Sequence, residues 1–568
     1  MFNDELSEIF SEMADIEEIE GKRWESLAYR KVSGNIAALG EDIREIYRRN
    51  ELRKIEGVGD AIAKKISQYI NEGRITAYDE MKKKYPINFR DLRKIQGLGP
   101  KKIAILFTQL GVTNISQLSD AINSHKIAEL PGFGSRSEEK LKKSLETFQQ
   151  VGSNRILLSK GLREIEYIRE HLLASGLFER VEAAGSSRRM RETVGDIDLL
   201  AISGNVESAT DYFLSLDRID GAVSRGESKV TVNLKIGITC DLRFIEADSF
   251  GAALQYFTGS KDHNVRLRDL AISRGMKLNE YGLFAADQKI AGASENEIYE
   301  KLGLMYIPPE LREDKGEIDA ALAGKIPRLI EYEEVKGDLH MHTFDSDGMA
   351  SLEDMAVAAK ASGLEYIAIT NHSKSLMIAN GLNEERFNTF NEEIERISEK
   401  LGFSILKGVE LEILKDGSLD LSSPLLKKMD FVLGAMHQFV SQDREENTNR
   451  LLKAIRSGLV NSIAHPTGRL IGSRPPYHLD MDRIMEACAS EGVFLEINGS
   501  PERSDLPSDL ARRAAGFGVK FTLGSDAHNT NDLSNIRIAT AVARRGWLTK
   551  NDIINAMNLK DLQKALRT

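Results

Sequence analysis

Six histidines in the C-terminal part of the chain follow short apolar runs of the kind that form buried β-strands. His372, for example, follows residues 366–369, and His437 follows an apolar run over residues 431–433. Because the strands of an α/β barrel all end on one face, this arrangement predicts a barrel that gathers these side chains on that face. The six residues are His340, His342, His372, His437, His465 and His528.

Three carboxylates, Asp347, Glu410 and Asp526, are interspersed with these histidines. The nine side chains are enough to hold two or three ions bridged by a carboxylate. Mixed nitrogen and oxygen ligands favour Mn²⁺, Zn²⁺ or iron over Mg²⁺. Such ions lower the pKa of a water molecule and stabilise the oxygen displaced from a phosphate ester. The pattern therefore predicts a hydrolytic metal centre.

A second, carboxylate-only group lies upstream. Asp196 and Asp198 are two residues apart on a predicted strand, so both leave the same face, and Asp241 lies on a second strand. Oxygen ligands suit Mg²⁺, and two such ions serve nucleotide transfer, one at the attacking hydroxyl and one at the triphosphate. Gly185 and Ser186 precede the pair, and Gly195 lets the chain enter the strand without bulk.

Two Gly-x-Gly turns are embedded in repeated helical segments, over residues 52–63 and 92–104, with a looser third copy at 127–134. Free backbone amides after such a turn bind phosphate without regard to base sequence. Residues 51–110 contain thirteen Lys and Arg against seven Asp and Glu, although the whole chain has a net charge of −10. We therefore expect DNA contacts from Gly57, Gly59, Lys64, Lys65, Gly97, Gly99, Lys101 and Lys102.

These repeats resemble helix-hairpin-helix motifs, and GSSRRMRETVGDIDLL with the later CDLRF resembles the nucleotidyltransferases, more narrowly the family X DNA polymerases. The resemblance spans roughly residues 1–310. It implies that Asp196, Asp198 and Asp241 bind two Mg²⁺ ions, with Ser186, Arg189 and Arg155 at the triphosphate.

The segment from Tyr256 to Arg268 is similar to the nucleotide-selecting helix of that family. The resemblance implies that Tyr256 and Phe257 crowd a ribose 2′ hydroxyl. Asn264 would contact the incoming nucleotide and Arg268 the template side. Without the family, a Tyr-Phe pair is more commonly a core aromatic pair, but Thr258-Gly259 directly after it favours function.

The N-terminal region is similar to the small lyase domain of the same family, and Lys65 occupies the position of its Schiff-base lysine. Ala61 replaces a lysine of that pattern, and Trp24 and Glu25 stand where basic groups are usual. A lysine nucleophile needs nearby cations or desolvation to lower its pKa. We expect DNA-end binding here, with lyase chemistry as the alternative.

Residues 335–568 resemble the PHP (polymerase and histidinol phosphatase) domain, whose metal positions the nine ligands match. Where that family often has Thr-Asp-His, this chain has Thr370-Asn371-His372, so we expect a neutral outer partner for the imidazole. Arg469 and Arg474 are candidates for phosphate binding or for solvated surface.

Two cysteines, the lack of a long apolar stretch and an acidic start without a leader pattern predict a cytoplasmic protein that uses no membrane. We also expect it to be a monomer and to be associated with the nucleoid. The expected fold is multidomain, α plus α/β. Its parts are helical DNA-binding domains at 1–85 and 86–150, a palm at 151–250, a nucleotide-selecting subdomain at 251–310, a linker at 311–334 with a helix near 318–329, and a distorted (β/α)7-type PHP barrel at 335–568.

The combination predicts a DNA polymerase that fills short gaps in repair, using gapped or nicked duplex DNA and dNTPs. The second centre would be a 3′-5′ exonuclease, and an abasic-site endonuclease is also open. Two other hypotheses are a phosphatase for small phosphate monoesters and a scaffold at DNA breaks with weak catalysis. The three basic hairpins and the triphosphate motif count against the phosphatase.

Overall fold

The computed structural model describes residues 2–566 except 38, 40–42, 94, 96 and 152–154. Its first part is helical, as predicted, and has two apolar cores, one built from residues 6–75 and one mainly from residues 87–145. Ile16 of the first helix belongs to the second core, so the two helical units pack together. The helices are α1 (Phe2–Ile19), α2 (Arg23–Ala37), α3 (Ile43–Arg48), α4 (Asp60–Glu72), α5 (Thr76–Lys84), α6 (Phe89–Leu92), α7 (Pro100–Leu110), α8 (Ile115–Asn123) and α9 (Ser135–Val151).

The repeated turns have the backbone that their glycines allow. Gly57 and Gly97 adopt φ values of +80° and +93°, which side chains with a Cβ rarely adopt. Helices α4 and α7 begin directly after Gly59 and Gly99. The first amides of both helices therefore start at a turn without a capping side chain, as expected of a phosphate-binding hairpin.

A five-stranded sheet follows, with strand order β2-β4-β7-β6-β5. Strands β4 and β7 pair in parallel, which sets Asp198 directly opposite Asp241. Buried aliphatic residues alternate with polar ones along β6 and β7, as the sequence predicts for half-buried strands. The elements are β1 (Ile156–Leu157), α10 (Leu158–Ala174), β2 (Arg180–Ala183), α11 (Gly185–Arg188), β3 (Thr193–Val194), β4 (Asp196–Ile202), α12 (Val206–Leu214), β5 (Ile219–Arg225), β6 (Lys229–Leu234) and β7 (Thr239–Phe244).

The next unit packs helices against a three-stranded antiparallel sheet. The helix expected near 318–329 ends at Leu322, because Gly324 turns the backbone to φ +67° and Pro327 cannot continue a helix. The elements are α13 (Phe250–Thr258), α14 (Lys261–Ser273), β8 (Met276–Asn279), β9 (Gly282–Ala285), β10 (Gln288–Ala291), α15 (Glu295–Lys301) and α16 (Glu317–Leu322).

The C-terminal part is a seven-stranded parallel barrel whose strands follow each other in chain order. A bridge between Met341 and Ala527 joins the segments that follow its first and last strands, so the predicted barrel is confirmed. The strands are β11 (Gly337–Asp338), β12 (Tyr366–Ile369), β13 (Ser404–Glu412), β14 (Phe431–Ala435), β15 (Ser462–Ile463), β16 (Phe494–Asn498) and β17 (Phe521–Gly524). The helices are α17 (Leu352–Ala361), α18 (Glu384–Leu401), α19 (Ser423–Leu426), α20 (Arg444–Ile455), α21 (Met481–Glu491), α22 (Ser508–Gly516), α23 (Ile536–Arg545) and α24 (Leu559–Ala565).

Helix α23 fixes the barrel to the palm sheet. Its Ala541 belongs to the apolar core of the palm. Arg545 at its end donates to the carbonyl of Arg189 at 2.8 Å and pairs with Glu313 at 3.2 Å. Nearby, Arg469 of the barrel pairs with Glu192 of the palm at 2.6 Å. The barrel and the palm are therefore packed against each other.

A buried ion-pair network joins the palm to the unit that follows it. Glu295 accepts from Arg188 at 2.7 Å and from the fully buried Arg312 at 2.6 Å. Burial alone would raise the pKa of Glu295, but Arg312 and Arg188 hold it at about 2.

Replacing this anion should destabilise the junction. Glu295→Gln leaves Arg312 without its carboxylate partner, and breaking a buried pair of this kind costs about 3–5 kcal/mol. Because the folded-state pKa is lowered, the contribution is complete above the unfolded pKa of about 4.5 and disappears as pH falls toward about 2. Thermal unfolding of Glu295→Gln at pH 7 should show a lower midpoint, and the difference from wild type should shrink in acid. The exposed Glu297→Gln, on the same helix, is the control. Equal midpoints for all three proteins at pH 7 would refute the assignment.

Candidate metal centres

The three palm carboxylates lie together at the ends of two parallel strands. Asp198 faces Asp241 across β4 and β7, and Asp196 is exposed two residues earlier on the same face. Burial, then the charges of Asp196 and Asp241, raise the pKa of Asp198 to about 6. Thr231 donates to Asp241 at 2.6 Å, and Lys229 pairs with it at 2.6 Å. The neighbouring negative charges disfavour the ionised form of Asp198. A divalent cation bound between these carboxylates would offset that repulsion.

The turn that precedes these strands lies against the carboxylates. Gly185 adopts φ +60°, and a Cβ there would collide with Oδ2 of Asp198. Ser186 is the half-buried second residue of this turn. On the other side, a Cβ on Gly195 would lie 3.0 Å from Nη1 of Arg155, whose Nη2 donates to the carbonyl of Thr193 at 2.7 Å. Both glycines therefore stand where the chain approaches a polar side chain closely.

Arg189 is held by neighbours. It donates to the carbonyl of Thr258 at 2.6 Å and to Glu313 at 3.1 Å. A Cβ on Gly259 would lie 3.1 Å from its Nη1. Arg189 thus ties the turn at 185–188 to the end of α13.

The residues expected to select the nucleotide lie on α13 and α14. Tyr256 and Phe257 are half-buried, with ring centroids 5.1 Å apart, and Arg243 lies 4.4 Å over the Phe257 ring. Asn264 donates to the carbonyl of Tyr256 at 2.7 Å. Arg268 is exposed one helical turn further along the same face of α14. Phe257 packs against a small apolar cluster that includes Leu200 and Phe250, and neither ring of the pair is fully buried.

The basic residues after the glycine turns are presented on α4 and α7, outside both carboxylate groups. Lys64 and Lys101 are exposed. Lys65 is half-buried, 5.9 Å from the Tyr29 ring centroid, and Lys102 lies 5.1 Å over the Phe133 ring. The ammonium nitrogens of both lysines therefore lie near aromatic rings, at cation–π distance.

The PHP centre is built around Glu410. Its Oε2 lies 3.4, 3.5 and 3.0 Å from nitrogens of His340, His342 and His372. Its Oε1 lies 3.2 Å from His437 and 2.9 Å from His465. One carboxylate on β13 therefore touches imidazoles from four other strand ends.

The other two carboxylates complete the set. Asp526 lies 3.5 Å from His340 and 3.4 Å from His342. Asp347 lies 3.3 Å from His372 and 3.5 Å from His528. Three overlapping groups have donor atoms close enough to share an ion: His342 with Asp347, His372 and His528; His340 with His342 and Asp526; and His372 with Glu410 and His437.

Charge is unevenly divided among these imidazoles. Burial would lower the pKa of His372, but Glu410 and Asp347 raise it to about 10. Burial and the neighbouring His528 and His372 instead lower the pKa of His342 to about 4. Nδ1 of His342 is buried and makes no hydrogen bond in the described part of the chain, and the buried Nδ1 of His372 lies 3.0 Å from Oε2 of Glu410. Buried imidazole nitrogens of this kind, beside carboxylates, are suited to coordinate a metal ion.

Three residues that form hydrogen bonds to the proposed metal ligands were not predicted from the sequence. Glu412 lies 2.8 Å from Nδ1 of His437, and Glu496 lies 2.6 Å from Nδ1 of His340. Asn498 donates to Asp526 at 3.1 Å. A carboxylate on the second nitrogen orients an imidazole ligand and raises its basicity. Their spacing could have indicated two of them, since Glu412 and Asn498 follow Glu410 and Glu496 by two residues and therefore share a strand face with them.

Three other residues have structural contacts. Asn371 accepts from the Thr343 amide at 2.8 Å and from Ser346 at 2.9 Å, so it holds the loop after His342, and the expectation of an imidazole partner is wrong. Arg469 pairs with Glu192, and Arg474 donates to the carbonyl of Gly468 at 2.8 Å.

Four family models match segments of the chain. Residues 338–500 match the PHP domain family, and residues 253–313 match the DNA polymerase beta thumb family. A helix-hairpin-helix domain family matches residues 1–75, and a SAM-like helix-hairpin-helix tandem family matches residues 89–147. A Bacillus subtilis (strain 168) protein, described as DNA polymerase/3′-5′ exonuclease PolX, is 36% identical over 547 residues, 95% of each chain. The chain belongs to the family X DNA polymerases with a C-terminal PHP domain.

More distant relatives match parts of this polymerase. A probable phosphatase of Thermoanaerobacter sp. (strain X514) is 31% identical over 230 residues, 38% of this chain and 89% of the phosphatase. The solved ternary complex of Leishmania infantum polymerase beta is 23% identical, covering 40% of this chain and 97% of that one, with a TM-score of 0.26.

Among the described residues, no helix is long and apolar enough to span a membrane.

Glu410 should decide metal retention in the PHP centre. An amide in Glu410→Gln removes the negative charge shared by five imidazoles, so the variant should lose bound metal and most of its Mn²⁺-dependent rise in melting temperature. Glu496→Gln, which alters an outer partner only, should weaken Mn²⁺ binding by about 10–100-fold. Elemental analysis and thermal shift against Mn²⁺ concentration measure both effects. Wild-type metal content in Glu410→Gln would exclude it as a shared ligand.

Proposed function

We propose that this chain fills short gaps during DNA repair and removes nucleotides from DNA 3′ ends at a separate centre. The observation that carries the proposal is that the structure holds two separate groups of side chains suited to bind metal, the carboxylates around Asp198 and the histidines and carboxylates around Glu410. The relative that matches nearly the whole length of the chain is described as both a DNA polymerase and a 3′-5′ exonuclease.

At the palm, we assign Asp196, Asp198 and Asp241 to two Mg²⁺ ions. Those ions would supply positive charge to the triphosphate and to the attacking hydroxyl. Ser186 and Arg155 lie at the turn and strand beside the carboxylates and would contact the dNTP phosphates. Arg189 would also contact the triphosphate, and its bonds to Thr258 and Glu313 would orient the nucleotide-selecting helix relative to that turn.

On α13 and α14, Tyr256 and Phe257 would exclude a ribose 2′ hydroxyl. Asn264, fixed by the carbonyl of Tyr256, would contact the incoming nucleotide. The exposed Arg268 is suited to the template strand because its guanidinium is free to face a phosphate or a base.

The two hairpins would grip the phosphates on either side of a gap. The amides that follow Gly57-Val-Gly59 and Gly97-Leu-Gly99 supply neutral donors. Lys64 and Lys101 add charge. Lys65 is a candidate for lyase chemistry. Its ammonium nitrogen lies 5.9 Å from the ring centroid of Tyr29, and an aromatic ring does not lower the pKa of a lysine as a nearby cation would, so DNA-end binding remains the favoured role.

At the PHP centre, we assign the nine ligands to two or three Mn²⁺ or Zn²⁺ ions. His340 and His437, oriented by Glu496 and Glu412, would present their second nitrogens to the ions. Such ions would activate water and neutralise the departing 3′ oxygen. The substrate would be a DNA 3′ end, and abasic sites are a second possibility.

We further propose that the enzyme is a monomer that acts where the genome is, in the cytoplasm at the nucleoid. The domain limits given above, at 85, 150, 250, 310 and 334, stand as proposals. A phosphatase for small monoesters is a weaker alternative, because the phosphatase relative aligns with only 38% of the chain and leaves the palm and hairpins unused. A break-binding scaffold would need neither ligand set.

Two substitutions separate the activities. Asp198→Ala should reduce nucleotide addition by about 10³-fold or more while leaving 3′ degradation intact, because only the palm loses a metal ligand. His342→Ala should do the reverse. Both are measured on a 5′-labelled primer, and paired melting curves report folding. Loss of both activities in either folded variant would contradict separate centres.

A further inference from the structure

Four exposed apolar side chains stand on loops that carry metal ligands of the PHP centre. Met377 and Ile378 are 87% and 95% exposed, and Phe344 and Phe439 are 59% and 54% exposed. Phe344 and Phe439 each follow a ligand histidine by two residues, and Met377 follows His372 by five. We call these four residues the apolar rim.

Hydrogen bonds hold these loops side by side. Asn380 donates to the carbonyl of Asp345 at 2.9 Å, next to Phe344. Gln438, next to Phe439, donates to the carbonyl of Ser375 at 2.6 Å. The tip formed by Met377 and Ile378 lies between these two attachments, so the rim extends from one aromatic residue to the other across three adjacent loops.

The innermost metal ligands lie below this rim. Glu410, His340 and His342 are at most 2% exposed, whereas the rim residues are more than half exposed. The side chains of Asp347 and His528, nearer the surface, are 30% and 34% exposed. A phosphodiester that reaches Glu410 must enter a recess, and a single strand fits a recess more easily than a base-paired end. Its bases then leave their stack beside the rim.

We propose that the apolar rim binds the faces of unstacked nucleobases at a single-stranded DNA 3′ end, next to the phosphodiester that is cleaved. Aromatic rings and polarisable methionine bind base faces without regard to sequence, and they cannot bind phosphate. Continuity with the metal centre selects DNA over a protein or a second copy of this chain. The proposal rests on the 3′ exonuclease function proposed above.

Wild-type enzyme tests it first, on two 5′-labelled primers with 3′ single-stranded tails of equal length. One tail carries thymidines, and the other carries tetrahydrofuran residues with the same phosphates but no bases. The thymidine tail should be shortened at least about fivefold more efficiently, in kcat/KM, because each stacked base contributes that much or more. Equal efficiency would overturn the proposal. No shortening of either tail would instead overturn the exonuclease function.

Variants then locate the effect. Met377→Ser combined with Ile378→Ser should lose most of the preference for the thymidine tail, yet hydrolyse bis-p-nitrophenyl phosphate as wild type does, because the ligands are untouched. Val357→Ser, on the outer face of α17 and 48% exposed, should behave as wild type. An unchanged preference in the double variant would overturn the proposal. So would sedimentation that shows a wild-type dimer lost in the double variant, since the rim would then be an interface between copies.

Discussion

Parallel pairing of strands brings side chains from neighbouring strands together, and both metal centres are built on that geometry. In the palm, the register of β4 and β7 sets Asp198 opposite Asp241, so two acids meet without any long loop. In the barrel, ligands from several strand ends surround Glu410. The backbone hydrogen bonds thus bring together charges that would otherwise repel or desolvate each other, and cations offset that cost.

The two centres also share structure. Helix α23 of the barrel contributes Ala541 to the palm core and Arg545 to the carbonyl of Arg189, which is bound in turn to Thr258. The barrel therefore supports the turn that is assigned to the nucleotide phosphates. These contacts hold the barrel against the palm.

The sequence was sufficient for much of this arrangement. The barrel, the helical repeats and the strands of the palm follow from apolar periodicity and repeated turns, and the nine proposed PHP ligands were predicted because nearly every motif that contains them follows an apolar run. Asp196 and Asp198 were predicted to share a face because they are two residues apart on a strand. Glu410 and Glu412 have the same spacing, but Glu412 was not among the predicted site residues.

Contacts between distant segments were beyond sequence reasoning. Arg189 is bound by Thr258 and Glu313, which are 69 and 124 residues away. Asn371 supports the loop after His342, although its position beside His372 pointed to an imidazole. The exposure of Met377 and Ile378 depends on how three loops pack, and an apolar pair at those positions would more commonly be buried.

The most direct test of two working centres in one chain is a primer-length assay with the wild-type protein. A 5′-labelled primer on a duplex with a one-nucleotide gap is incubated with Mg²⁺ or Mn²⁺, with and without dNTPs. The structure predicts extension when dNTPs are present and shortening when they are absent. Shortening under both conditions, with no extended product, would contradict an active palm, and an untouched primer would contradict both centres.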